Sequence, residues 1–233
     1  NQALKQQDHL KTIVLNKPIG VVSGQAEHSC IPAMTLITKK NCYKKSIQAS
    51  SVMLSDMNNI TTRGLAPAGR LDIDSHGLLV FTQDGRIAKD LIGEHSTIEK
   101  EYVVKVWREE GRKDSSGVIG SRGGKAGDIN EVLPMLRHGL KLDGIKLKPA
   151  CVEVIASEYS IAGSSAVTSN LLVPGSMHIL KFVLNQGRKR QIRRMCELVG
   201  FKVVNLQRIR IGRVWLADLP VGQWRYLNPC EVF

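Results

Sequence analysis

Short apolar runs rich in β-branched and aromatic residues recur along the whole chain, with few helical stretches between them. "TIVLNKPIGVVS" (12–23), "GLLVFTQDG" (77–85), "EKEYVVKVW" (99–107), "ACVEVIA" (150–156) and "HILKFVL" (178–184) read as strands bounded by turn residues. The closing "FKVVNLQRIRIGRVWL" and "QWRYL" read the same way. Helical signals are sparse. "RIAKDLIG" supplies one or two turns closed by Gly93. Asp128 and Glu131 have capping-box spacing for a helix over 129–138, shortened or kinked by Pro134 and stopped by Gly139. The best-defined helix follows residue 187, where Ile192, Met195, Cys196 and Val199 form one apolar stripe ended by Gly200. Arg190 and Arg194 fall on another face, with Arg193 just off the stripe. Without regular strand–helix–strand alternation, the expected fold is α+β, a mostly antiparallel mixed sheet flanked by a few helices.

Polar, weakly periodic stretches at 38–63, 108–127 and 157–176 read as irregular insertions into one domain spanning 10–233. A chain of 233 residues, 42% hydrophobic and 23% charged, is long enough to bury a substantial core. No stretch approaches the roughly 18 uninterrupted apolar residues of a membrane span, so no membrane partner is expected. The opening "NQALKQQDHLK" has no apolar segment and no initiator methionine, which points to a processed chain. Five scattered cysteines without a C-x-x-C pair favour a reducing compartment, whether cytoplasm, organelle or nucleus. "HSC" with Cys42 fits no zinc spacing, and no metal is expected.

Charge is unevenly placed. Lys181 to Arg213 holds ten basic residues and a single acidic one, Glu197, so this segment carries +9 of the net +12. Such concentration suits a polyanion better than a merely solvated face.

Four blocks follow one another: "LNKPIGVVS", "GRLDIDSHGLLVFTQDG", "KEYVVKV" and "LNQGRKRQIRRMCELVGF". In that order they resemble the pseudouridine synthases, specifically the RsuA family that modifies ribosomal RNA. The tail "LQRIRIGRVWLADLPVGQWRYL" is most similar to the large-subunit rRNA branch. The resemblance implies a pseudouridine-synthase-like catalytic domain, RNA as partner and no cofactor. It implies that Asp72 is catalytic, that Tyr102 contacts the target base, and that Arg193 lies against the catalytic carboxylate. It further implies that Arg70 enters the RNA stack as the base leaves. Arg188, Lys189, Arg190 and Arg194 then hold phosphates, while Lys17 and Pro18 shape the first turn beside the site. An S4-type RNA-binding domain, common ahead of this catalytic part, is not expected within these residues, and the protein is expected to act as a monomer.

The chemistry suits these residue types. Isomerisation breaks the uracil N1–C1′ bond, rotates the base and joins C5 to C1′. A carboxylate can attack C1′ or assist loss of the 2′ proton, and both routes stay open. The base must first be flipped out of its stack. Blander readings stand beside these. Asp72 could be a strand-end turn residue, Asp74 could pair with it as in a glycosidase, and Tyr102 could be a core aromatic. Asp74 is expected to hydrogen-bond its own turn. His76 and His178 remain unassigned, and the tryptophans are expected to pack. The rival from another class is a catalytically silent RNA-binding or ribosome-assembly factor on the same fold.

Overall fold

A computed structural model describes residues 10–25, 30–43, 61–109, 129–160 and 175–233. Its strands in chain order are β1 (Thr12–Lys17), β2 (Val21–Val22), β3 (Ile31–Pro32), β4 (Ala66–Pro67), β5 (His76–Thr82) and β6 (Lys100–Glu109). They continue as β7 (Lys141–Leu142), β8 (Ile145–Lys146), β9 (Cys151–Ser160), β10 (Gly175–Leu184), β11 (Lys202–Ile211), β12 (Val214–Trp215) and β13 (Trp224–Tyr226). The α-helices among the described residues are α1 (Gly85–Ile92), α2 (Ile129–Arg137) and α3 (Gln191–Leu198). The chain divides into two compact units, Asn1–Lys100 with Gln207–Phe233, and Glu101–Leu206.

The first unit is built on strands in the order β13-β1-β5-β11, with β4 on β5 and β12 on β11. The pairs of β1 with β13 and β5 are antiparallel, whereas β5 and β11 run parallel, with Arg208 opposite Gly77. All six β1 residues are buried because both faces are covered. Ile13 and Leu15 join Leu79, Phe81 and Trp224 in one core cluster; Val14 joins Leu78, Val80, Leu91 and Ile211 in the other. That explains why β1 and β5 read as continuous apolar runs rather than alternating ones. Asp84 caps α1 by accepting from the Arg86 amide at 2.8 Å. The helix does end at Gly93, but with φ −59°, not the left-handed cap.

In the second unit β6 neighbours β10, and β9 closes the order as the antiparallel partner of β10. Helix α3 buries the expected stripe of Ile192, Met195, Cys196 and Val199, and burial pushes the Cys196 thiol up to about 12. Helix α2 contains Pro134 and buries Ile129, Leu133 and Leu136; its expected cap Asp128 lies outside the described residues.

Most of the three expected insertions also lies outside the described residues, namely 44–60, 110–127 and 161–174. Some of their described edges are tied into regular structure. Thr38 accepts from Trp224 Nε1 at 2.8 Å through its carbonyl, and the Tyr43 amide donates to the Trp224 carbonyl at 2.9 Å. Strand β6 continues to Glu109, and β9 and β10 pair as far as Ser160 and Gly175. A ladder of backbone hydrogen bonds sustains those strand ends where the side chains carry little strand signal. No helix of the described residues is long and apolar enough to cross a membrane.

Candidate active site

Asp72 opens a tight turn that leads into β5, its carbonyl accepting from the Ser75 amide at 3.1 Å. As a turn residue it matches the blander reading; what surrounds the turn does not. Ser23, buried at the end of the first loop, donates to the Leu71 carbonyl at 2.8 Å and accepts from the Leu71 amide at 2.9 Å. The Gly20 amide donates to the Ile73 carbonyl at 2.8 Å. The residues on both sides of Asp72 are therefore tied to the loop after β1. That loop is itself closed by Lys17, whose ammonium donates to the carbonyls of Pro18 at 2.8 Å and Val21 at 2.7 Å. Lys17 and Pro18, expected to shape the first turn, thus belong to this loop.

Lys17 is fully buried, an expensive position for an ammonium. Burial lowers its pKa from 10.5 to about 8, Asp72 and then Asp74 oppose that fall, and Arg208 adds to it. At neutral pH Lys17 is mainly charged, so a buried cation faces two carboxylates. Asp74 performs the local role expected of it, accepting from the Ser75 hydroxyl at 3.4 Å.

Arg208 was not singled out from the sequence. It is 3% exposed, and its Nε donates to the Leu78 carbonyl at 2.7 Å while Nη1 donates to the Arg70 carbonyl at 3.3 Å. Its Nη2 is buried without a hydrogen-bond partner among the described residues, which costs roughly 1–3 kcal/mol for a buried donor. Burial, followed by the charge of Arg208, also lowers Lys100 to about 8. Arg70 itself has an exposed side chain on the surface of the acid loop.

The remaining expected residues belong to the second unit. Tyr102 sits on β6 and is 8% exposed. Arg193, on α3, donates from Nη1 to the Val203 carbonyl at 3.3 Å. Arg188, Lys189 and Arg190 are exposed on the turn before α3, where the Arg188 amide donates to Gln191 Oε1 at 3.0 Å and Arg190 takes a left-handed φ of 53°. Arg194, expected to hold a phosphate, lies on α3. Its guanidinium is bidentate on Asp143, with contacts of 2.9 and 2.6 Å, because the β7–β8 turn presents that carboxylate to α3. Asp72 is thus brought together with Lys17, Pro18 and the backbone of Arg70, while Tyr102 and Arg193 are placed in the other unit. His178 pairs with the Ser157 hydroxyl at 2.8 Å and packs edge-on to Phe201. Among the described residues no group of three His, Cys, Asp or Glu side chains is arranged to hold a metal ion.

The family model described as RNA pseudouridylate synthase matches residues 11–198. The ribosomal large subunit pseudouridine synthase B of Bacillus subtilis is 30% identical over 181 residues, 78% of this chain and 61% of that protein. The dual-specificity RNA pseudouridine synthase RluF of Salmonella typhi is 28% identical over 98% of this chain and 58% of its own length. The chain thus spans about three fifths of these two curated relatives. The ribosomal large subunit pseudouridine synthase E of Xanthomonas campestris is 31% identical over 218 residues, covering 91% of this chain and 93% of that protein. Among solved structures, a crystal structure of pseudouridylate synthase superposes with a TM-score of 0.61 at 21% identity over 94% of this chain and 71% of that one, a likeness of fold.

Proposed function

Since the chain belongs to the RNA pseudouridylate synthase family, we propose that it isomerises uridine to pseudouridine in ribosomal RNA with Asp72 as the nucleophile. The observation that supports this best is the pinned acid loop: Asp72 lies between two residues whose backbones are fixed by Ser23 and Gly20, beside the buried cation of Lys17. A carboxylate that only terminated a strand would need neither the pinning nor the buried ammonium. Similarity to rRNA enzymes supports the substrate.

In this reading the carboxylate acts either at C1′ or on the 2′ proton. In both routes the N1–C1′ bond breaks, the base rotates, and C5 bonds to C1′. C5 then loses its proton and N1 ends with one, so the product is an isomer and no co-reactant is consumed. Tyr102 contacts the rotating base, where a phenol is suited to help move the C5 proton. Arg193 supplies a cation that keeps its proton throughout. Arg188, Lys189 and Arg190 hold phosphates while the base is out of its stack, offsetting a flipping cost of roughly a few kcal/mol.

Asp72→Asn tests the assignment, because it keeps the shape and removes the nucleophile. Tritium release from C5-labelled uridine RNA should fall by orders of magnitude, with RNA binding retained. Activity above about a tenth of wild type would remove Asp72 from its role. A wild-type protein that binds rRNA but releases no tritium would be the silent binding factor instead.

A further inference from the structure

We infer that Arg208 is a positioning residue for Asp72, holding the acid loop in shape from inside the first unit. The inference rests on the reading of Asp72 as nucleophile. Its two donors reach the carbonyls of Arg70 and Leu78, which flank residues 71–77 on either side. One planar guanidinium therefore bridges both ends of the segment that carries Asp72. Because Nε and Nη1 belong to one rigid fork, the separation of those two carbonyls is set by the side chain itself. The backbone of Arg208 is committed as well, opposite Gly77 in the parallel register of β11 on β5. Ser23 and Gly20 hold the same segment through Leu71 and Ile73. The loop is thus fixed at its base by Arg208 and at its middle by the loop after β1.

A side chain kept only to tie two carbonyls together need not be charged. Arg208 is buried, and its Nη2 has no hydrogen-bond partner among the described residues, so the position is costly in stability. What the charge adds is electrostatic: Lys17 interacts with Asp72, Asp74 and Arg208 together. The guanidinium therefore shapes both the backbone and the local field around the acid loop. This matters for a reaction in which the base detaches, turns and rejoins while the carboxylate holds its place. A displacement of about 1 Å at such a group can cost about a hundredfold in rate. Lysine cannot substitute, since a single ammonium does not span two carbonyls in a fixed fork.

Arg208→Gln and Arg208→Lys test the inference with one readout that depends on catalysis and one that does not. In Arg208→Gln, amide hydrogen exchange within 71–77 should quicken by about tenfold or more while the amides of β1 stay protected. Single-turnover pseudouridine formation at saturating enzyme should fall by at least about 30-fold, with RNA affinity within about threefold of wild type. Arg208→Lys should recover less than about a third of the lost rate. If the glutamine variant fails to fold, the lysine variant carries both readouts. A folded variant with wild-type exchange over 71–77, or a single-turnover rate within about threefold of wild type, would overturn the positioning role. A wild-type protein that forms no pseudouridine on rRNA would overturn the functional reading instead, and the exchange result would still decide whether Arg208 holds the loop.

Discussion

In the first unit the backbone around Asp72 is fixed by Ser23, Gly20 and Arg208, and its cation, Lys17, is fully buried. In the second unit Arg188, Lys189 and Arg190 stand exposed on a turn, and Arg194 and Lys181 meet carboxylates at the surface. The two regions carry charge for different ends. Chemistry needs one carboxylate held in one geometry, so the surrounding charged groups are buried at a cost in stability. Binding to a phosphate backbone needs charge density and tolerates mobile side chains, so the cations stay hydrated. Substitutions should therefore be felt strongly in the first region and weakly in the second.

The largest contrast lies between two glycines of similar conformation. Gly77 (φ 105°) would place a Cβ 2.3 Å from the carbonyl oxygen of Arg208, whereas Gly139 (φ 94°) has nothing among the described residues within 4 Å. Gly77→Ala adds a backbone clash in a parallel strand pair to the conformational strain, so it should cost more than about 3 kcal/mol or prevent folding. Gly139→Ala should cost about 1–2 kcal/mol, the strain alone. Urea unfolding of both variants gives the comparison directly. Equal losses would mean that β5 and β11 do not approach as closely as described.

A smaller effect separates buried Lys17 from surface Lys181 by their pH dependence. Lys17 releases its proton near pH 8 in the folded protein and near 10.5 in the unfolded chain. Between those values the unfolded chain holds the more protons, so the stability this group contributes rises with pH across the window. The gain is on the order of 2–3 kcal/mol. Lys17→Met should abolish that share of the rise. Lys100 has a similarly lowered value and contributes its own share, so each variant is read against wild type. Lys181 is shifted the other way by its hydrogen bond with Glu153, and Lys181→Met should leave the profile between pH 8 and 10 unchanged. Unfolding midpoints across that range are the measurement. A Lys17→Met profile parallel to wild type would show that Lys17 is not the depressed group.

Much of this was legible in sequence. The α3 stripe followed from spacing alone, because a helix on a core must repeat its apolar face, and the runs of β1 and β5 were recognisable because both faces are buried. Lys17, Pro18 and Asp72 come from two stretches that the family order already joined. Arg208 was invisible for a physical reason. An arginine in "LQRIRIG" looks like one more surface cation, and only the parallel pairing with β5 turns it inward. The "KLDGIK" hairpin, by contrast, carried a readable signal that went unused: Asp-Gly between apolar residues, with φ of 54° and 75° in the structure, is the pair that tight hairpins favour. Missing that hairpin also meant missing Asp143 as the partner of Arg194.

That partner sets the smallest prediction, and it corrects the weight given to the basic segment. Of its ten basic residues, Lys181 pairs with Glu153, Arg194 with Asp143 and Arg210 with Glu99, while Arg208 is buried. The neutralising acids lie far away in sequence, so a count along the chain overstates the charge available to RNA. If Arg188, Lys189 and Arg190 each engage one phosphate, RNA affinity should fall only about 20-fold between 50 and 200 mM salt, using the single-strand coefficient. Were all ten available, the loss would exceed about 10⁴-fold by the same rule. Asp143→Asn then offers a gain rather than a loss. Arg194 keeps its position but loses its carboxylate, and Asp143 also acts electrostatically on Arg188. One further phosphate contact should steepen the slope of log affinity against log salt by about 0.7–0.9. Folding stability should be little changed, as for other exposed ion pairs. RNA titrations at several salt concentrations with both proteins measure the slope. An unchanged slope would place Arg194 away from the RNA even when freed, leaving the exposed turn before α3 to carry the phosphate contacts alone.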